Sequence, residues 1–184
     1  MALHYAVAFI WGFCEATFFF IVPDVWLTWL VVQNSEKKRL WMAWGFAVAG
    51  ASAGGLVLYV LAAGMPYDQV IEYLKHVPGI RQREVETVVR QVQELGVLSF
   101  FAGSFTGVPY KIYAAQWSHL NMSVAVLVGI TILARGLRFL TSMILAGIVC
   151  AIGRRVSKRW EASKSAIFIL VWLVFYVIYF SRHL

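Results

Sequence analysis

Long apolar stretches alternate with short polar segments along this chain. Runs at 40–64, 122–153 and 165–181 are each predicted to form a transmembrane helix, because about 20 apolar residues suffice to cross a bilayer. Residues 65–95 form the only long polar stretch. Apolar residues recur there at helical spacing on both sides of a Pro-Gly pair at 78–79, which predicts two short amphipathic helices outside the membrane.

Two further apolar stretches, 5–32 and 97–119, are interrupted by charge, proline and turn-forming residues. The interruptions read EATFFFIVPD at 15–24 and GSFTGVPYK at 103–111. Bilayer hydrocarbon tolerates broken backbone only where protein or a water-filled cavity covers it. Each stretch is therefore predicted to be a re-entrant helical hairpin, with the turns at Pro23, Gly107 and Pro109.

The charges of the loops support a hairpin at 97–119. Loops 33–39 and 154–164 are both rich in Lys and Arg, so both are expected on the cytoplasmic side. They reach the same side only if 97–119 dips into the membrane and returns. Segment 65–95 and the C-terminus then lie outside, the hairpins enter from opposite faces, and their turns meet near the midplane, as broken helices do in many secondary transporters.

The composition agrees with one all-α membrane domain over residues 1–184. The chain is 61% hydrophobic and only 14% charged, against about 25% charged for average soluble domains. A net charge of +7 in such a chain reflects loop topology and anionic headgroups, and we do not expect a nucleic-acid partner. Cys14 and Cys150 lie in apolar sequence. We predict no metal, no cofactor and no enzymatic activity.

Five ionisable residues lie at membrane depth, and they are the candidate site: Glu15, Asp24, Lys111, Arg135 and Arg138. Each costs about 2.5–3.5 kcal/mol at the bilayer centre, so most of them must pair or line water. Two acids against three bases leave one positive charge, which suits an anionic group such as a phosphate. We assign phosphate binding to the three bases, and charge balance or proton transfer to the two acids.

Structural roles for these residues stay open at this stage. Arg135 and Arg138 could be counter-ions of the two acids, Lys111 could extend to an interface, and Asp24 could cap a half-helix. Gly50 and Gly54 are four residues apart, a spacing that lets helices pack closely and permits a homodimer without requiring one.

Three motifs resemble a known family. EATFFFIVPD resembles the first-hairpin motif of the DedA (SNARE-associated, VTT-domain) membrane proteins, in particular the YqaA-like branch, which reads E-x-S/T-F-F-P-I-P-P-D. FTGVPYK resembles that branch's F-T-P-I-P-Y-K, and ARGLRF at 134–139 resembles its R-x-L-R-F. Order and spacing agree over roughly residues 8–150, although Phe20, Val22 and Gly107 stand where that branch commonly has proline.

The resemblance implies two facing re-entrant hairpins and movement of lipid across the bacterial cytoplasmic (inner) membrane. The leading hypothesis is a flippase or scramblase for a phosphate-bearing lipid, such as undecaprenyl phosphate or a phospholipid, with coupling to protons. One alternative is a proton-coupled exporter of a small solute. The other is a membrane scaffold that transports nothing.

Overall fold

The computed structural model describes residues 2–120 and 122–183, so the predicted domain bounds of 1–184 extend beyond it at both ends. The described residues form helices and no strand. The helices are α1 Ala2–Thr17, α2 Asp24–Val32, α3 Lys37–Ala63, α4 Tyr67–Lys75, α5 Gln82–Leu95, α6 Ser99–Thr106, α7 Tyr110–His119, α8 Val124–Val156 and α9 Trp160–His183, with a 3-10 turn at Gly96–Leu98 between α5 and α6.

Three of these helices, α3, α8 and α9, are long and apolar enough to cross a membrane. Their most apolar windows have mean hydropathies of 1.9, 1.8 and 1.9. They correspond to the predicted spans 40–64, 122–153 and 165–181, which confirms the all-α class and is consistent with a multi-pass membrane protein. Helix α8 is continuous over its 33 residues, and Gly136 in its interior does not break it. One interior glycine costs only about 1 kcal/mol in a helix.

The two ends of the bundle are defined by side-chain contacts between loops and helices. At one end, Arg154 in the last turn of α8 donates from Nη1 to Asn34 Oδ1 at 3.0 Å, so the loops 33–39 and 154–164 lie together. We call this the basic end. At the opposite end, which we call the cap end, α3 ends and α8 begins. The Tyr59 hydroxyl of α3 donates there to the Met122 carbonyl at 2.9 Å. The predicted placement of both basic loops on one side agrees with this arrangement.

Helices α6 and α7 both have their outer ends at the cap end. Helix α6 follows α5 after the short 3-10 turn. Helix α7 ends at His119, whose ring centroid lies 5.0 Å from that of Tyr67 at the start of α4. Between α6 and α7, Gly107 has a φ of +84°, which favours glycine, and Pro109 directly precedes the first residue of α7. The chain therefore enters the bundle and returns to the same end.

Helices α1 and α2 form the opposite pair. Helix α1 runs parallel to α3, since the ring of Tyr5 stacks on Phe46 at 5.6 Å and Phe13 lies against Gly54 further along. Helix α2 then runs back towards the basic end beside α8, where a Cβ added to Gly147 would lie 4.0 Å from Val31 Cγ1. Close approach of α1 to α3 depends on small residues, because a Cβ at Gly50 would overlap the Phe9 carbonyl.

Helices α4 and α5 pack against α7 and cover it at the cap end. The predicted apolar stripes face inward, with Val70, Ile71 and Leu74 on α4 and Val85, Val88 and Val92 on α5 all buried. The Tyr113 hydroxyl of α7 also donates to Gln91 of α5. The turn between the two helices reaches α9, where Gly79 packs against the hydroxyl of Tyr179.

Candidate functional site

Two ion pairs join α8 to both arms of the first broken helix pair. Arg135 pairs with Glu15 on α1, and Arg138 Nη2 lies 3.3 Å from Asp24 Oδ2 at the start of α2. Arginines three residues apart point in similar directions from one helix, which lets each reach a different arm. These pairs hold the two sides of the break at residues 18–23 to a single continuous helix.

Within the Arg135–Glu15 pair, the arginine is enclosed by its neighbours. Arg135 is 1% exposed, and its guanidinium lies 5.2 Å from the ring centroids of both Tyr110 and Phe139. Tyr110 is fixed in turn, since its hydroxyl is 2.7 Å from Thr131 Oγ1. The geometry of this pair makes Arg135 a counter-ion of Glu15, one of the structural roles left open by the sequence.

The Asp24–Arg138 pair is more accessible. The Arg138 side chain is 19% exposed, whereas that of Asp24 is 2% exposed. Ser142, one turn further along α8, donates from Oγ to Asp24 Oδ1 at 2.5 Å. Asp24 thus begins α2, but its carboxylate bonds to α8 and makes no capping hydrogen bond to α2.

Lys111 is the third base, and it differs from the two arginines. It is 2% exposed, and its Nζ donates to the Phe19 carbonyl at 3.0 Å. This hydrogen bond joins α7 to the break between α1 and α2. No carboxylate among the described residues lies within ion-pair distance of it. Lys111 therefore does not extend to an interface, and it leaves the five-residue set with one cation more than it has anions.

A cavity of about 60 Å³ lies where the two breaks meet. Glu15, Lys111 and Arg138 supply its charged walls. The remaining lining comes from both breaks, from the α4–α5 turn and from α9: Phe20, Val22, Gly107, Val108, Pro109, Tyr110, Pro78, Ile80, Phe175, Tyr176 and Tyr179. Asp24 and Arg135 do not line it, so of the three bases assigned to phosphate only Lys111 and Arg138 face this cavity.

The sequence did not identify Ser142 or Tyr176 as part of this region. The amide of Val22, in the first break, donates to the Tyr176 hydroxyl at 2.9 Å. Many apolar residues of α9 are exposed, as on a lipid-facing helix, but Tyr176 lines the cavity. A signal was present, since Trp172, Tyr176 and Tyr179 are polar-tipped aromatics spaced to lie on one helix face.

The packing residues Gly50 and Gly54 lie at the α1–α3 contact, away from the charged cavity. A Cβ at Gly54 would be 2.6 Å from the Phe13 carbonyl oxygen. In this chain the glycines bring α1 close enough to α3 to hold Glu15 opposite Arg135. Among residues 2–120 and 122–183, no cluster of three or more His, Cys, Asp or Glu side chains could hold a metal ion.

The chain was compared with protein-family models, with curated proteins and with solved structures, and none of them matches it.

Proposed function

We propose that this protein moves a phosphate-bearing lipid across a membrane, as a flippase or scramblase, and that the headgroup passes through the cavity between the two helix breaks. One observation carries the proposal: Lys111, which has no acidic partner among the described residues, and Arg138 line the same cavity as both breaks. Cations in a site shielded from water favour an anionic group that can accept their hydrogen bonds.

Both broken pairs are proposed to be re-entrant hairpins inside the membrane. Helix α2 has 9 residues and α7 has 10, which correspond to about 14 Å and 15 Å at 1.5 Å per residue. Neither arm crosses a hydrocarbon core of about 30 Å. Since the pairs approach from opposite ends of the bundle, their breaks meet at mid-depth, where charged side chains need the cover of surrounding protein.

The size of the cavity favours a lipid over a whole solute. Its volume of about 60 Å³ is far below the roughly 300–1,000 Å³ of pockets that enclose small molecules. A phosphate group needs little space when its hydrocarbon chains remain outside in the bilayer. This argues against the small-solute exporter.

The identity of the lipid and the coupling are proposed from the family resemblance together with the site. Undecaprenyl phosphate and common phospholipids both supply the phosphate, and the bacterial cytoplasmic membrane is the expected location. Glu15 lines the cavity and is the residue proposed to exchange protons with it. Phosphate binding and protonation of Glu15 are then linked through the same small space.

The test is lipid translocation in proteoliposomes by wild type and Lys111→Gln. Glutamine keeps an uncharged N–H donor at this position, one atom shorter than lysine, and removes the charge. Hydrogen bonds to charged groups contribute about 1.5–3 kcal/mol, so we expect translocation of a fluorescent phospholipid or polyprenyl phosphate to fall at least about tenfold. Lys158→Gln, an exposed lysine at the basic end, is the matched control and should behave as wild type.

Arg138→Ala is expected to abolish translocation too, but it strips Asp24 of its partner and therefore needs a parallel measurement of folding. Assays with and without a pH gradient test the proposed coupling. Transport by Lys111→Gln at the wild-type rate would refute the phosphate site. Wild-type protein that moves no lipid, but accumulates a solute or does nothing, would favour the exporter or the scaffold instead.

A further inference from the structure

A second, larger cleft lies between α2, α8 and α9, apart from the charged cavity. Its volume is about 330 Å³, and its walls are almost entirely apolar. Along α8 its lining runs from Ser142 to Cys150. At 1.5 Å per residue this stretch of α8 covers about 12 Å, close to the roughly 15 Å of hydrocarbon in one leaflet of a 30 Å core. The cleft therefore has the length and the chemistry of a site for one lipid chain.

At the inner end of the cleft the polar groups already have partners. The Ser142 hydroxyl donates to the Asp24 carboxylate, and the Thr28 hydroxyl donates to the Asp24 carbonyl at 2.5 Å. The Trp172 indole N–H donates to Thr28 Oγ1 at 3.2 Å. This end has no donor waiting for a ligand, and it suits the methyl end of a chain.

At the basic end the situation is reversed. Trp160 lines the cleft and is 8% exposed, yet its indole N–H has no acceptor among the described residues. A buried donor without a partner costs about 1–3 kcal/mol. The indole nitrogen is itself buried, so a ligand oxygen would reach and stabilise it once the Trp160 ring turns towards the cleft. Lys164 lines the same end, and its Nζ donates one hydrogen bond to Glu161 Oε2 at 2.6 Å. An ammonium group has three N–H donors, so two remain for a ligand.

The charge around this end favours an anion. The segment 154–164 contains five Lys and Arg residues and one acid, Glu161. Basic segments of this kind attract anionic lipid headgroups at a membrane surface. Trp160 and Lys164 thus lie where the ester and phosphate groups of a lipid in the adjacent leaflet would be.

We propose that this cleft binds one acyl chain of an anionic glycerophospholipid, with the chain running from the basic end towards Ser142. The Trp160 N–H donates to an ester or phosphate oxygen, and Lys164 balances the phosphate charge. The site is separate from the cavity at Lys111, and its occupancy does not depend on transport.

The test measures lipid retention by the purified full-length chain with native mass spectrometry, after addition of phosphatidylglycerol or phosphatidylcholine. We expect one retained phosphatidylglycerol per chain and weaker retention of phosphatidylcholine. Ala146→Trp fills the cleft and should abolish that retention, whereas Ala151→Trp, an exposed position on α8, should not. Trp160→Phe keeps an aromatic ring but removes the donor, and should weaken phosphatidylglycerol binding roughly tenfold.

Trp160→Phe is the smaller change, so it tests the proposal even if Ala146→Trp fails to fold. Trp41→Phe, an exposed tryptophan near the basic end, is its control. Equal retention of both lipids would overturn the proposal, as would phosphatidylglycerol binding that neither Ala146→Trp nor Trp160→Phe weakens. If the Lys111→Gln variant loses translocation but keeps this lipid, the two sites are distinct, as proposed.

Discussion

Removing both partners of the Glu15–Arg135 pair should cost less than the sum of the two single removals, because each single removal leaves a buried charge without compensation. In Glu15→Gln the Arg135 guanidinium stays buried at 1% exposure and loses its only carboxylate among the described residues. Truncating one side of a buried pair typically costs about 3–5 kcal/mol, mainly because a charge is left without compensation.

The neighbours of Arg135 cannot make up this loss. The faces of Tyr110 and Phe139 lie 5.2 Å from the guanidinium, and each such contact contributes about 0.5–2 kcal/mol, already present in the wild type. No other acid is within ion-pair distance of Arg135 in the described part of the chain. The cost of Glu15→Gln should therefore stay near the range for a broken buried pair.

The assay is a double-mutant cycle of Glu15→Gln, Arg135→Gln and the combined variant. Unfolding free energies come from tryptophan fluorescence during titration with sodium dodecyl sulfate in mixed micelles. The combined variant buries two neutral amides, so its cost should fall short of the sum of the single costs by about 2–3 kcal/mol. Glu161→Gln removes a carboxylate that is 57% exposed from its pair with Lys164. It is the control and should change stability little, because solvent screens an exposed charge.

Additive single costs would refute this reasoning, since they would mean that Glu15 and Arg135 are not energetically coupled. Single variants as stable as wild type would also refute it, because they would require water to reach the pair. A large effect of Glu161→Gln would show that the assay does not distinguish buried from exposed pairs.

Two other predictions concern helix packing and topology. Gly50→Ala should lower the unfolding free energy, because its Cβ would overlap the Phe9 carbonyl, whereas Gly45→Ala on the same helix has nothing within 4 Å and should be neutral or stabilising by up to about 1 kcal/mol in the same titration. For topology, single cysteines are placed at Lys37, Lys158 and Arg81 in a background whose native cysteines are replaced by serine. In proteoliposomes of uniform orientation, a membrane-impermeant maleimide should label the first two positions from one side and the third from the other. Labelling of the Lys37 and Lys158 positions from opposite sides would refute the shared basic end.

The charged residues of the site could be predicted from sequence, and their pairing could not. Charge inside apolar sequence is costly, so Glu15, Asp24, Lys111, Arg135 and Arg138 stand out whatever the fold. Which acid meets which arginine depends on how α1 and α2 lie against α8, and sequence spacing within one helix does not contain that distance. Only the folded structure shows that Arg138 is accessible and that Arg135 is buried.

The placement of the ends could also be predicted, because loop charge and parity are properties of chain order. The role of α9 could not, since its aromatic residues satisfy the pattern of a lipid-facing helix. The Tyr176 hydroxyl accepts a hydrogen bond from the Val22 amide, because the first break leaves that N–H without a helical partner. An interrupted helix exposes backbone donors that a neighbouring helix must accept, and this rule suggests looking for polar-tipped aromatics wherever such a break occurs.

The charge balance gives a reason for building a site in this way. A continuous α8 holds both arms of the first broken helix pair through two ion pairs, which neutralises four of the five candidate charges. The fifth, Lys111, is held by the Phe19 carbonyl across the gap between the two breaks, so its charge is positioned without being cancelled. A site prepared in this way favours an occupant that brings one negative charge, and a phosphate ester bound there would complete the balance. If the protein moves a phosphate-bearing lipid as proposed, only this last contact would have to be made and broken as the headgroup passes.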